Sequence, residues 1–105
     1  MKRLIYSPDS YEKIKKIKQY LISEYGKETA ANITNQLQKQ IKNLKANPYL
    51  GISLHEIYGI ETNFRKLYAV HNHIIYRVED NNIYIVNIYD EREDFLYKLF
   101  GIDAY

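Results

Sequence analysis

Two hydrophobic periods divide this chain, and the change from one to the other constrains its fold more than any other feature. From Tyr11 to Leu44 apolar residues recur every three or four positions, and from Phe64 to Tyr89 they alternate. A helical half followed by a strand half excludes the regular βαβ alternation of a parallel sheet and points to an α+β fold. Tyr11, Ile14, Ile17, Leu21 and Tyr25 form one helical stripe, and Ala30, Ile33, Leu37, Ile41 and Leu44 form another, with Gly26 between them. Ser7 is placed to cap the first helix, with Pro8 at its first position. Asn47-Pro48 ends the second, because proline disfavours helical geometry in the residue before it. The two helices read as an αα-hairpin preceded by a short strand, Lys2 to Tyr6.

Tyr49 to Thr62 reads as loop, with Gly51 and Gly59 in it. Asn63 to Val70, His73 to Glu79 and Ile83 to Tyr89 read as strands, the last two joined through the turn signal Asp80-Asn81-Asn82. Asp90 is the expected cap of a final helix, with Glu93 as its capping-box partner, Phe95, Leu96, Leu99 and Phe100 as its apolar face, and Gly101 as its end. The expected order is β-α-α-β-β-β-α. It forms a small antiparallel-dominated sheet, with the helical hairpin packed on one face and a short C-terminal helix. With 105 residues, one domain spanning 1–105 is expected.

The chain has no cysteine, which excludes disulfide scaffolds, thiolate zinc sites and cysteine nucleophiles. No apolar run approaches the ~20 residues that span a bilayer, and the N-terminus has no signal-peptide core, so no membrane partner and a cytoplasmic location are expected. The net charge of +2 is unevenly spread: residues 1–54 hold ten Lys or Arg against four Asp or Glu (+6), and residues 55–105 hold five against nine (−4). The basic half suits a polyanion; it also suits two solvated helix faces. Twelve tyrosines and no tryptophan suit half-buried sheet faces, interfaces and base stacking. On strand alternation His71, His73 and Arg77 share a face, the best anion-binding strip that the residues alone offer. Two histidines with no third ligand at a convincing spacing make a poor metal site.

Several pieces in fixed order resemble the RelE/ParE superfamily of toxins from type II toxin–antitoxin systems. They are the opening strand with Ser7-Pro8-Asp9 and an amphipathic helix; Leu44-Lys45-Ala46-Asn47-Pro48 with Gly51 close behind; Phe64-Arg65-Lys66-Leu67; Ile74-Ile75-Tyr76-Arg77-Val78; and Tyr89-Asp90-Glu91-Arg92-Glu93-Asp94-Phe95. The resemblance covers nearly the whole chain. It implies a cognate antitoxin as partner, which wraps the toxin by coupled folding and binding, covers the sheet face and disturbs the last helix. It implies no small-molecule cofactor and no metal. It also implies one of two activities on a shared fold. RelE-like members cut mRNA in the ribosomal A site, with the 2′-OH attacking the adjacent phosphate; ParE-like members poison DNA gyrase without catalysis. The expectation here is the ribosome-dependent endoribonuclease acting on ribosome-bound mRNA. The alternatives are a gyrase inhibitor or an inactive member that still binds its antitoxin.

Such cleavage needs groups that take the 2′-OH proton, neutralise the phosphoryl oxygens and protonate the leaving group. Carried over residue by residue, the resemblance nominates Arg65, His73, Arg77, Arg92 and Tyr97. Arg65 would clamp phosphate, or else pair structurally with a carboxylate. His73 stands where RelE-like ribonucleases often carry Arg, and imidazole can serve as acid or base near neutrality. Arg77 is a phosphate candidate on the same strand, with Glu79 close by. Arg92 matches the end motif but sits among four carboxylates. Tyr97 would stack a base, or else pack with Leu96 and Phe100. Glu56, beside His55 in the loop, is a further candidate base.

Overall fold

The computed structural model describes residues 2–102. Strand β1 (Arg3–Tyr6) leads into helices α1 (Pro8–Tyr25) and α2 (Lys27–Lys42), the latter extended by a 3₁₀ turn, Asn43–Lys45. There follow strand β2 (Ile52–Ser53), helix α3 (Leu54–Tyr58), strands β3 (Arg65–Ala69), β4 (Asn72–Glu79) and β5 (Asn82–Asp90), and helix α4 (Phe95–Phe100). Ser7 caps α1: its Oγ accepts from the backbone N–H of Ser10 at 3.0 Å and donates to the carbonyl of Val86 at 2.7 Å. One hydroxyl therefore both starts the helix and fixes it to β5. Gly26, at φ 90°, turns the chain from α1 into α2.

The five strands lie in the order β1-β5-β4-β3-β2. β1 runs parallel to β5, and every other pairing is antiparallel. The β4–β5 register passes from Ile75 opposite Asn87 to Tyr76 opposite Ile85, so β5 carries one extra residue, a β-bulge at Val86. That extra residue is why Ile83, Ile85 and Ile88, which do not share a parity, all reach one core. The core lies between the sheet and the helical hairpin, where Leu37, Ile41 and Leu44 pack on Leu67, Ile74, Tyr76 and the three β5 isoleucines. A second, smaller core lies on the opposite face under α3 and α4, built from Leu54, Ile75, Tyr89, Phe95 and Leu96.

The α+β order expected from the sequence is present, with two additions and two corrections. Within the expected loop, Ser53 caps α3 by accepting from the N–H of Glu56, and fully buried Leu54 anchors it; β2 pairs there with β3. Asp90 does not cap the last helix. It ends β5, and its carboxylate accepts from the N–H of Arg92, while Asp94 caps α4 by accepting from the N–H of Tyr97. The α1 stripe is also narrower than its periodicity suggests: Tyr11 and Tyr25 are exposed, and Ile14 and Ile17 are its partly buried contacts with the sheet core. Gly51 is buried against β3, its N–H donating to the Tyr76 hydroxyl at 2.8 Å.

Candidate functional site

Cross-strand pairing assigns each candidate a face. Arg65 pairs with Tyr76, which belongs to the helix-side core, so Arg65 points to that face at the sheet edge. Its guanidinium donates to the carbonyl of Gly51 from Nε at 3.2 Å and from Nη2 at 2.7 Å, reaches the Tyr49 carbonyl at 3.4 Å, and lies over the Tyr49 ring. These contacts fasten the Tyr49–Gly51 segment to β3. The carboxylate partner considered for Arg65 in its structural role is replaced by backbone carbonyls.

His73 and Arg77 share the opposite face, four residues apart and so separated by about 13 Å along the strand. His71 does not join them. It occupies the β3–β4 turn at φ 62°, where its Nδ1 lies 3.2 Å from Glu91. The expected strip of three is therefore reduced to two residues, because the strand begins only at Asn72 and alternation does not extend through the turn.

Arg77 stacks on the Tyr84 ring at 4.4 Å and forms an ion pair with Glu79 at 2.9 Å. Arg92 grips Asp90 through Nε at 2.9 Å and Nη2 at 3.4 Å on an exposed turn, which holds the Asp90 carboxyl below the usual carboxylate range. Tyr97 is exposed on α4 and not packed with Leu96 and Phe100. Glu56 and His55 lie on α3, with His55 Nδ1 2.9 Å from the Ile60 carbonyl. Among the described residues no group of three or more His, Asp or Glu side chains is disposed to hold a metal ion.

The geometry does assemble a different set, around His73. Its ring lies 4.9 Å from that of Phe95 and 5.6 Å from that of Tyr68. The Lys66 ammonium sits over Phe95 at 5.2 Å, and Tyr68 donates to Glu91. Burial and the nearby Lys66 charge push the His73 pKa down, and its Nδ1 is enclosed with no hydrogen-bond partner among the described residues. Sequence reading missed Lys66 and Tyr68 as companions of His73. The signal was available in the β3–β4 register, because Tyr68 lies directly across from His73 and Lys66 two residues away on the same face.

A neutral, part-buried imidazole makes stability depend on pH. Unfolding restores the ordinary pKa near 6.5, so between the depressed folded value and ~6.5 the unfolded chain binds more protons. His73 therefore destabilises the fold as pH falls through this window. The urea midpoint is expected to be lower at about pH 5 than at pH 7, with the difference reduced in His73→Phe. An equal loss in both chains would remove His73 as its source.

The comparisons agree with this architecture. The family described as "ParE toxin of type II toxin-antitoxin system, parDE" matches residues 4–95. No curated protein matches the chain. A solved structure titled "Chromosomal ParDE TA system from P. aeruginosa" superposes with a TM-score of 0.71 at 19% identity, covering 86% of this chain and 96% of that one. The structural likeness shows the shared fold. The family match reaches from β1 to the first residue of α4, and on that match the chain belongs to the ParE family of toxins from type II toxin–antitoxin systems.

Proposed function

We propose that this toxin acts by binding and not by catalysis, as a ParE-like inhibitor of DNA gyrase held in check by a cognate antitoxin. One observation carries the reading: the three arginines nominated for RNA cleavage do not converge, with Arg65 and Arg77 on opposite faces of the sheet and Arg92 on an exposed turn. Arg65 is held by loop carbonyls on the helix side, Arg77 by Glu79 and Tyr84 on the other, and Arg92 by Asp90 on an exposed turn. A binding surface needs no convergence of acid, base and phosphate clamp, whereas phosphodiester cleavage does. The antitoxin would cover the apolar rim around Tyr49, Leu50, Ile52, Ile57 and Tyr58, which lies exposed beside the short edge strand β2.

The second reading, ribosome-dependent mRNA cleavage, draws on the unpartnered Nδ1 of His73 beside Lys66 and Tyr68. Two assays with the purified chain separate the two. In a gyrase supercoiling assay, loss of supercoiling with accumulation of gyrase-linked broken DNA is expected. In a purified translation system mapped by primer extension, no toxin-dependent cuts are expected. Ribosome-dependent cuts within A-site codons, with gyrase unaffected, would overturn the proposal and return His73 and Lys66 to a catalytic role.

A further inference from the structure

A groove of about 400 Å³ runs between α1 and α2 above β1, away from the sheet face that carries His73. Lys15 and Lys18 from α1 and Lys42 from α2 line it, together with Asn35, Gln38 and the exposed ring of Tyr11. Among the described residues no carboxylate lines it, although thirteen Asp or Glu occur in the chain. Glu12 lies 3.6 Å from Lys15 in an exposed i,i+3 pair that an incoming anion displaces at little cost. The Lys15 ammonium lies over one face of the Tyr11 ring, 5.0 Å from its centroid, which leaves the other face of this exposed ring for a base. Tyr6 is part-buried within the lining, where burial pushes its phenol pKa up and keeps its hydroxyl a donor.

From this lining we infer that the α1–α2 groove binds a single strand of nucleic acid, with its phosphates on Lys15, Lys18 and Lys42 and a base stacked on Tyr11. Three cations with no lining anion select a polyanion, and amides beside them supply sequence-tolerant hydrogen bonds to sugar and base edges. The aromatic ring distinguishes a nucleic acid strand from an acidic peptide, because every base offers a face to stack on. Stacking on Tyr11 also distinguishes one strand from two, because the faces of paired, stacked bases in a duplex are not open to a side chain. Gyrase and ribosome both hold unpaired nucleic acid, so this site stands whichever of the two the toxin attacks.

The test is fluorescence anisotropy of the full chain with labelled twelve-residue oligo(dT), oligo(U) and a DNA duplex, over a range of salt concentrations. Binding to one or both single strands, with weaker binding to the duplex, is expected. In a Lys15→Gln, Lys18→Gln, Lys42→Gln variant the log–log salt slope should fall by about 2, the share of three single-strand phosphate contacts at ~0.7 each. A Lys16→Gln, Lys27→Gln, Lys39→Gln variant removes the same charge from helix surfaces outside this groove, and should retain most of the slope. Tyr11→Leu should weaken both single-strand complexes without changing the slope. All substituted positions are exposed, so circular dichroism should match the wild type. Equal losses in the two lysine variants, equal affinity for the duplex, or no binding at low salt would each overturn the inference. The measurement contains neither gyrase nor ribosome, so its failure is separate from any failure of the proposed function.

Discussion

Replacing Gly51 by alanine is expected to lower the melting temperature by about 15 °C, the largest effect of any single methyl group added to this chain. A Cβ at Gly51 would meet the Lys66 carbonyl oxygen at 2.6 Å, the Tyr76 hydroxyl at 2.7 Å and the Lys66 carbonyl carbon at 2.8 Å. Two of these are backbone atoms of β3, and they yield only if the pairing of Ile52 with Lys66 opens. Overpacking of this kind costs about 1–3 kcal/mol. Displacing Gly51 also breaks its N–H bond to the buried Tyr76 hydroxyl and strips the Arg65 guanidinium of its main acceptor, a further ~1 kcal/mol or more. A total near 3 kcal/mol, at about 4–8 °C per kcal/mol in a domain of this size, gives the expected shift. Thermal unfolding followed by circular dichroism measures it. A drop under about 5 °C would mean that the segment lifts from β3 without disturbing the core.

Arg65→Ala is expected to lower the melting temperature by about 10 °C while gyrase inhibition at 20 °C stays within about twofold of the wild type. The cause is loss of a charged donor to the buried end of the Tyr49–Gly51 segment, worth about 2 kcal/mol, with the Gly51 carbonyl left unpaired. Arg65→Lys should recover only part of the loss, because an ammonium does not reproduce the planar fork that donates from Nε and Nη2 and stacks on Tyr49. An unchanged melting temperature with inhibition abolished would invert the assignment and make Arg65 a contact with the target.

These two residues also mark where the sequence was legible. Gly51 could be picked out close behind Asn47-Pro48, and the structure supplies its reason, a close approach of backbone to β3 that no side chain tolerates. The α+β order could be read because Ile14, Ile17, Leu37 and Ile41 repeat at helical spacing, whereas Ile74, Tyr76 and Val78 alternate. Ile83 to Tyr89 concealed its bulge, since alternation through a bulge changes parity at a point that only cross-strand register reveals. α3 was hidden because a five-residue helix spans too little sequence to show a period; its only signals were Ser53 and Leu54. The candidate site was less legible for a related reason. The shared face of His73 and Arg77 could be read from alternation, but the partners of Arg65 and His73 depend on pairing between strands. Arg77 kept the neighbouring carboxylate that its spacing from Glu79 announces, whereas Arg65 found backbone carbonyls and His73 an aromatic enclosure, neither of which is written in local spacing.

The parallel pairing of β1 with β5 sets the order in which the toxin comes into being. Arg3 and its partner Asn82 stand far apart along the chain, so the first strand is made well before the strand it pairs with. Until β5 leaves the ribosome, β1 has no neighbour in the sheet, and the helical hairpin lacks Ile83, Ile85 and Ile88 to lie against. At about 5–20 residues per second the hairpin waits on the order of seconds, and its closing contacts have the high contact order that slows folding. A chain interrupted anywhere short of β5 is missing the strand that joins β1 to β4. Such a chain lacks both the partner of its first strand and three isoleucines of its main core.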